Sequence, residues 1–365
     1  VWKLSDVTNY KRQGTWPVAL SGHQVANSCR FDDGSSDYLT ESVSSTSNRR
    51  TFTYSAWIKR SSLSGSGYPR LFNPFVNSAN FFDIFFRNTD ALNVYSQNAD
   101  SNDMNLVTNK LFRDFSAWYH IVVAVDTTQG TDSNRVKLYV NGTQETSFSA
   151  STYPSQNTDF QINLDTVTNV IGRNQAGSDN YFDGYMSEVI FIDGQQLAPT
   201  SFGSTNSDGV WIPAIYTGTF GTNGFNLQFE NAAALGTDSS PNGNTFTVNN
   251  LTSIDQSTDY PVVNYATINS LDNYFYAATL SEGNLKQTAN SGNYSFGTST
   301  FGVSQGKWVV EVKIESGSTV RNVIGITDKV STGTTNELGS LANAWQYSSG
   351  GTIYNNGSNI GGSYA

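Results

Sequence analysis

Charge is scarce in this chain. Only 14% of its 365 residues are Asp, Glu, Lys or Arg, and the 30 acidic residues outnumber the 20 basic ones. A net charge of −10 repels a phosphate backbone, so no nucleic-acid partner is expected. The single cysteine, Cys29, has no internal disulfide partner and reads as a small buried residue of the first strand. A secreted eukaryotic module of this size would more often carry disulfides, so a microbial or viral source is expected. No apolar run approaches the roughly 18 residues that span a bilayer and no signal peptide is visible, so no membrane insertion is expected. The two histidines, His23 and His120, fit no metalloprotease or Cys/His metal spacing, and no nucleophile elbow or glycine-rich phosphate loop occurs. Helical periodicity and internal repeats are missing as well.

What is abundant is the material of short strands and turns. Aromatic residues make up 13% of the chain, 32 residues are Gly, and Ser, Thr and Asn crowd the rest. A hydrophobic content of 37%, spread over alternating segments, is enough for a packed core and argues against disorder. The length suits two sandwiches rather than one.

Tyr181 to Gly194 reads as a two-sided strand stopped by an Asp193-Gly194 turn. Strict alternation puts Phe182, Gly184, Met186, Glu188, Ile190 and Ile192 on one face and Tyr185, Ser187, Val189 and Phe191 on the other. Phe115–Asp126 and Arg135–Gly142 read as paired strands, the second closing on Asn141-Gly142, a dipeptide that accepts the positive φ angles of a tight hairpin. These segments, with Phe31-Asp32-Asp33-Gly34, Asp37-Tyr38-Leu39 and Phe52-Thr53-Tyr54-Ser55-Ala56-Trp57-Ile58-Lys59, stand in the order of laminin-G-like domains of the concanavalin A-like jelly-roll superfamily. The resemblance covers residues 27–203. It implies an all-β antiparallel jelly-roll sandwich that binds sugars or proteins at surfaces. Trp57, Ile58, Val122, Leu138, Val140 and Ile190 are expected at or near its core, with Trp57 and Ile58 on opposite faces.

Around that domain the organisation is expected to be an N-terminal docking arm at 1–26, a β-rich connector at 204–265, and a second β-sandwich from 266 to 365. The arm carries Lys3, Lys11 and Arg12 beside Trp2, Leu4 and Trp16. In the last segment Gly306-Lys307-Trp308-Val309-Val310-Glu311-Val312-Lys313-Ile314, Val323-Ile324-Gly325-Ile326 and Trp345-Gln346-Tyr347 resemble strands of SPRY domains, about half of one. The connector, with Asp238-Ser239-Ser240-Pro241-Asn242-Gly243, is similar to linkers in structural proteins of tailed bacteriophages. That resemblance implies a virion fibre or surface-decoration protein on the virion surface, contacting a host-surface glycan or protein and other virion proteins. It also implies a homo-oligomer, a trimer if it is a fibre. The alternatives are a purely structural appendage subunit and a microbial extracellular adhesin or filament subunit at the cell surface.

Catalysis is not expected. Retaining glycosidases on this fold project paired acids from one strand face, and Glu188 and Glu311 each lack a partner two residues away. His120, inside a strand, reads as packed. The family resemblance implies a rim calcium site, for which Asp32 or Asp33 and Asp183 are the candidate ligands, calcium taking hard oxygens of the kind Asp and backbone supply. The alternative is that these aspartates accept backbone N–H groups in turns. For sugar contact the candidates are Tyr68, Tyr153 and Tyr181, all in expected loops. Phe81-Phe82 and Phe85-Phe86 are expected mainly in the core.

Overall fold

The computed structural model describes residues 26–289, 295–315, 322–328 and 338–361, so the expected N-terminal arm lies outside the described residues apart from residue 26. The chain divides into two compact units at 265/266.

The first unit is an antiparallel sandwich. One sheet runs through β11 (Thr143–Glu145), β10 (Val136–Val140), β9 (Tyr119–Asp126), β3 (Thr51–Arg60), β14 (Gly184–Asp193), β1 (Ser28–Phe31) and β19 (Gln256–Ser257), with β17 (Phe225–Leu227) also paired to β14. The other runs through β12 (Phe148–Thr152), β8 (Ser101–Leu111), β7 (Ala91–Asn98), β6 (Asn80–Phe86), β5 (Phe75–Asn77), β13 (Thr168–Ile171), β2 (Tyr38–Ser42) and β18 (Thr247–Asn249), with β4 (Arg70–Phe72) paired to β6. The stretch 204–265, expected as a separate connector, thus supplies β17 and β19 to the first sheet and β18 to the second. It also forms most of the hairpin of β15 (Gly203–Thr205) and β16 (Trp211–Pro213).

Alternation along β3 sends Phe52, Tyr54, Ala56 and Ile58 into the core between the sheets, where Leu138, Val140, Met186 and Phe191 join them. The opposite face of the same sheet is buried too. Val122, Ile190 and Ile192 pack with Phe202 and Phe220, while Trp57, Trp118 and Tyr185 form a third cluster against Trp211. All six expected core residues are buried, in three clusters, and Trp57 and Ile58 do point to opposite faces. Residues 202–220, folding back over the sheet, make this second burial.

Strict alternation fails in β14. Ser187 lies opposite Trp57 and Ile190 opposite Ser55, so three steps along β14 match two along β3. Glu188 takes up the extra residue at φ 48°. The bulge reverses the phase: Met186 faces the core before it, and Val189 and Phe191 after it. This corrects the expectation that Met186, Ile190 and Ile192 share a face. Phe82 and Phe86 are core residues as expected, but Phe81 and Phe85 point to the opposite face of the sheet.

In the second unit β20 (Ile268–Phe275) pairs with β23 (Ser295–Ser299), β21 (Thr279–Ser281) with β22 (Lys286–Thr288), and β24 (Val323–Thr327), β25 (Ala344–Ser348), β26 (Ile353–Asn355) and β27 (Ser358–Gly361) form a meander. Residues 306–314, expected as a strand, form none, and Val309 and Val310 are 91% and 80% exposed. No strand among the described residues offers them a backbone ladder.

Candidate functional site: a cleft at one rim of the sandwich

Three loops meet at one end of the first unit. They carry Asp33 and Ser36, residues 62–69, and residues 178–181, and they enclose a cleft of about 420 Å³. The first wall is a tight turn. Asp32 Oδ1 accepts the Gly34 N–H at 2.8 Å, and the Asp32 N–H donates to Asp37 Oδ2 at 3.0 Å. Asp32 is therefore occupied in holding the turn, as the turn reading had it, while Asp33 lines the cleft.

The second wall is braced from beneath by Arg60. Its guanidinium is buried over the Phe86 ring at 4.4 Å, donates to Phe112 O at 2.6 Å and to Ser64 Oγ at 3.0 Å, and pairs with Asp90 at 3.2 Å. Asp90 also accepts the Ser64 N–H at 2.9 Å. A buried charge so fully bonded fixes the backbone at 61–64.

The third wall follows the turn Ser178-Asp179-Asn180. Asn180 Oδ1 accepts the Tyr68 N–H at 2.7 Å and Asn180 O accepts the Arg70 N–H at 3.1 Å, tying this wall to the second. Ser36, Ser178 and Asn180 all have positive φ, unusual for non-glycine residues. Tyr181 stands beside Tyr38, ring centroids 6.3 Å apart, and the Arg173 guanidinium lies 3.7 Å over the Tyr38 ring.

Asp183 sits half-buried just before β14. Its carboxyl is pushed up to about 7, first by burial, then by the charge of Asp33 and more weakly of Asp32, against a hydrogen bond from Ser62 and the pull of Arg60. Asp33 is raised by burial and by Asp32, against backbone N–H bonds. Gly184 makes this placement possible: at φ 147°, a Cβ there would stand 2.2 Å from Lys59 O.

Of the residues expected from the sequence, the structure brings Asp33, Asp183 and Tyr181 together, with Tyr68 anchored at the edge through its backbone. Tyr153 is elsewhere, packed against the main core beyond β12. The sequence reading passed over Asn180, Ser62, Arg60, Tyr38 and Arg173. The turn cluster Ser178-Asp179-Asn180 immediately before Tyr181 was a usable signal; Arg60, 30 residues from Asp90, gave none.

The donor set suits a hard cation only in part from side chains. Among the described residues no group of three or more His, Cys, Asp or Glu side chains is gathered as a metal site. Asp33 and Asp183 give two mutually repelling carboxylates, and further ligands would be backbone, amide or hydroxyl oxygens, a set compatible with calcium.

Outside the cleft, His120 and Glu188 are both hydrogen-bonded. His120 Nδ1 accepts the Trp211 indole N–H at 3.0 Å, which assigns the proton to Nε2, 2.8 Å from Ser55 Oγ. The buried imidazole is held far below its ordinary pKa, at about 3, by burial, and has no lone pair directed at the serine. Glu188 Oε1 accepts from Gln228 Nε2 at 3.3 Å.

Residues 33–198, a little under half of the chain, match the family model Laminin_G_3, described as the concanavalin A-like lectin/glucanases superfamily. No curated protein matches the chain. Among solved structures, the chain is similar to a Bacteroides ovatus protein described as a candidate carbohydrate-binding protein, at 15% identity and TM-score 0.42, covering 62% of this chain and 59% of that one. It is similar to a heptameric SAP-like pentraxin of Limulus polyphemus, at 16% identity and TM-score 0.34, covering 48% of this chain and 80% of that one. It is also similar to a sialidase carbohydrate-binding module of Ruminococcus gnavus bound to α2,3-sialyllactose, at 16% identity and TM-score 0.30, covering 38% and 75%.

Proposed function

We propose that the first unit is a non-enzymatic glycan-binding domain whose rim cleft holds a sugar, assisted by calcium at Asp33 and Asp183. The observation that carries this reading is the nearness of the two carboxylates: Asp33 lines a braced cleft beside Tyr181, and half-buried Asp183 lies close enough for the two charges to oppose each other. A divalent cation would relieve their repulsion and leave coordination positions for sugar hydroxyls. Tyr181 would stack on the ring, and Asn180 would supply a further polar contact. A family match in a lectin/glucanase superfamily accords with this. Binding without hydrolysis is supported by the occupied state of His120 and Glu188. The wider role we infer is that of a fibre or surface-decoration protein of a tailed phage, at the virion surface, working as a homo-oligomer and meeting host glycans. This rests on the connector and SPRY-like resemblances in the sequence.

The test is a thermal melt with and without calcium, on the native chain and on Asp183→Asn, with glycan-array binding in parallel. Calcium binds only the folded state, so it should raise the melting temperature of the native chain progressively with concentration and leave the variant unmoved. Array binding should need calcium and fall in Tyr181→Ala. A melting temperature unaltered after complete chelation, with array binding unchanged, defeats the proposal.

A further inference from the structure

The two outer faces of the sandwich differ. That of the β3/β14 sheet is sealed by two buried clusters. The outer face of the β6/β7/β8 sheet carries no such cluster among the described residues. It presents Phe75 opposite Phe81 and Asp83 opposite Tyr95, with Phe81 opposite Gln97 and Tyr95 opposite Asn105 in adjacent rows. Phe75 and Phe81 have ring centroids 6.5 Å apart at 30°, and Phe81 and Tyr95 5.8 Å apart at 35°. All three rings are half-buried.

Carboxamides border the rings. Asn93 Nδ2 donates to Asn105 Oδ1 at 3.0 Å, and Arg87 donates to Asn93 Oδ1 at 3.1 Å, so the amide row is held in one orientation. The Tyr95 hydroxyl donates towards Gln97 Oε1 at 3.3 Å and to Asn102. Beneath the rings, Asp83 is buried and matched by Arg70 at 2.9 Å. The face is therefore aromatic and amide-rich, with the Asp83 carboxyl beneath it paired to Arg70.

From this geometry we propose a second ligand site, independent of the rim cleft: the Phe75–Phe81–Tyr95 platform, bordered by Gln97 and by Asn105, which the buried Asn93 holds in place, binds a neutral polysaccharide segment without calcium. The apolar C–H faces of pyranose rings match three neighbouring aromatic faces, and carboxamides, each both donor and acceptor, match hydroxyls. Charge selects against acidic sugars, since the chain carries −10 overall. Cross-strand stabilisation alone would account for paired rings. It would not give sugar binding that those rings control.

The experiment is affinity electrophoresis of the full chain through gels containing a neutral glucan, mannan or galactan, with calcium and with chelator. Retardation by at least one of these polymers should persist in chelator. Phe81→Ala and Tyr95→Ala should weaken it about fivefold or more each, as loss of an aromatic contact implies. Asn105→Ala, a change on the surface of the sheet, should weaken it with melting temperature nearly unchanged, which separates binding from folding. Asp183→Asn should leave it intact. No retardation by any of the three polymers, or retardation indifferent to Tyr95→Ala and Asn105→Ala in folded protein, overturns the proposal. Retardation abolished by chelator assigns binding to the rim cleft and overturns it as well.

Discussion

Trp211 donates its indole N–H to Nδ1 of His120 while Trp57 stacks on the same imidazole, centroids 4.7 Å apart and planes 17° apart. Trp211 reaches this position from the β15–β16 hairpin, far along the chain from both partners. It nests over Gly142 and Gly203, where a Cβ would stand 2.7 and 2.5 Å from its ring. The bond decides the chemistry of the only described histidine: Nδ1 is an acceptor, so the ring must be neutral.

The pH dependence of stability follows from that neutrality. The folded pKa of His120 is lowered to about 3 by burial, against about 6.5 for an unfolded histidine. The unfolded chain therefore binds the extra proton first, and the stability contributed by His120 is full above pH 6.5 and lost progressively down to about pH 3. Urea unfolding of the native chain and of His120→Gln at pH 7 and pH 4 checks this. The variant should be destabilised at pH 7 by about 1–2 kcal/mol and by clearly less at pH 4. An equal penalty at both pH values would count against it.

Removing one partner of the Lys59–Asp259 pair should be costly. Lys59 Nζ lies 2.7 Å from Asp259 Oδ2, both side chains are nearly solvent-free, and Trp118 Nε1 donates to Asp259 Oδ1 at 3.0 Å. Asp259→Asn leaves a buried ammonium undercompensated and should destabilise the first unit by about 3 kcal/mol or more. Lys59→Met combined with Asp259→Leu should recover part of that loss. Both changes are read from denaturant midpoints.

A chain ending at residue 203 should not fold, whereas one ending at 265 should. The shorter chain loses β17, β18 and β19, the cover over Val122 and Ile190, and the partner of Lys59. Circular dichroism and proteolysis distinguish the outcomes. A cooperative, protease-resistant 26–203 fragment would refute the expectation.

Gly184→Ala should destabilise by about 2–4 kcal/mol, because the new methyl meets the Lys59 carbonyl and the backbone must leave φ 147°. Asp183 moves with it, so calcium stabilisation should diminish in the same variant. Thermal melts with and without calcium measure both effects.

The sequence by itself determined the strands and their partners in the middle of the first unit. The alternation in Thr51–Arg60 and the Asn141-Gly142 turn are local signals. Asn141 and Gly142 adopt φ 49° and 78° as that turn requires, closing Val140 against Thr143. The aspartates of the rim were legible as turn residues next to strands, and Tyr181 as a loop aromatic. Only tertiary structure decided the rest. A bulge at Glu188 reversed the facing of Val189 and Phe191, since a positive φ at a glutamate leaves no sequence mark. The stretch 204–265 looked like a linker because its strands are two or three residues long, too short to show a period. They are strands because β14, β2 and β1 offer them open edges to complete. Arg60, Asp90 and Ser64 became the brace of the cleft for the same reason. A buried charge needs partners in space, and the chain supplies them from positions that composition and spacing do not connect.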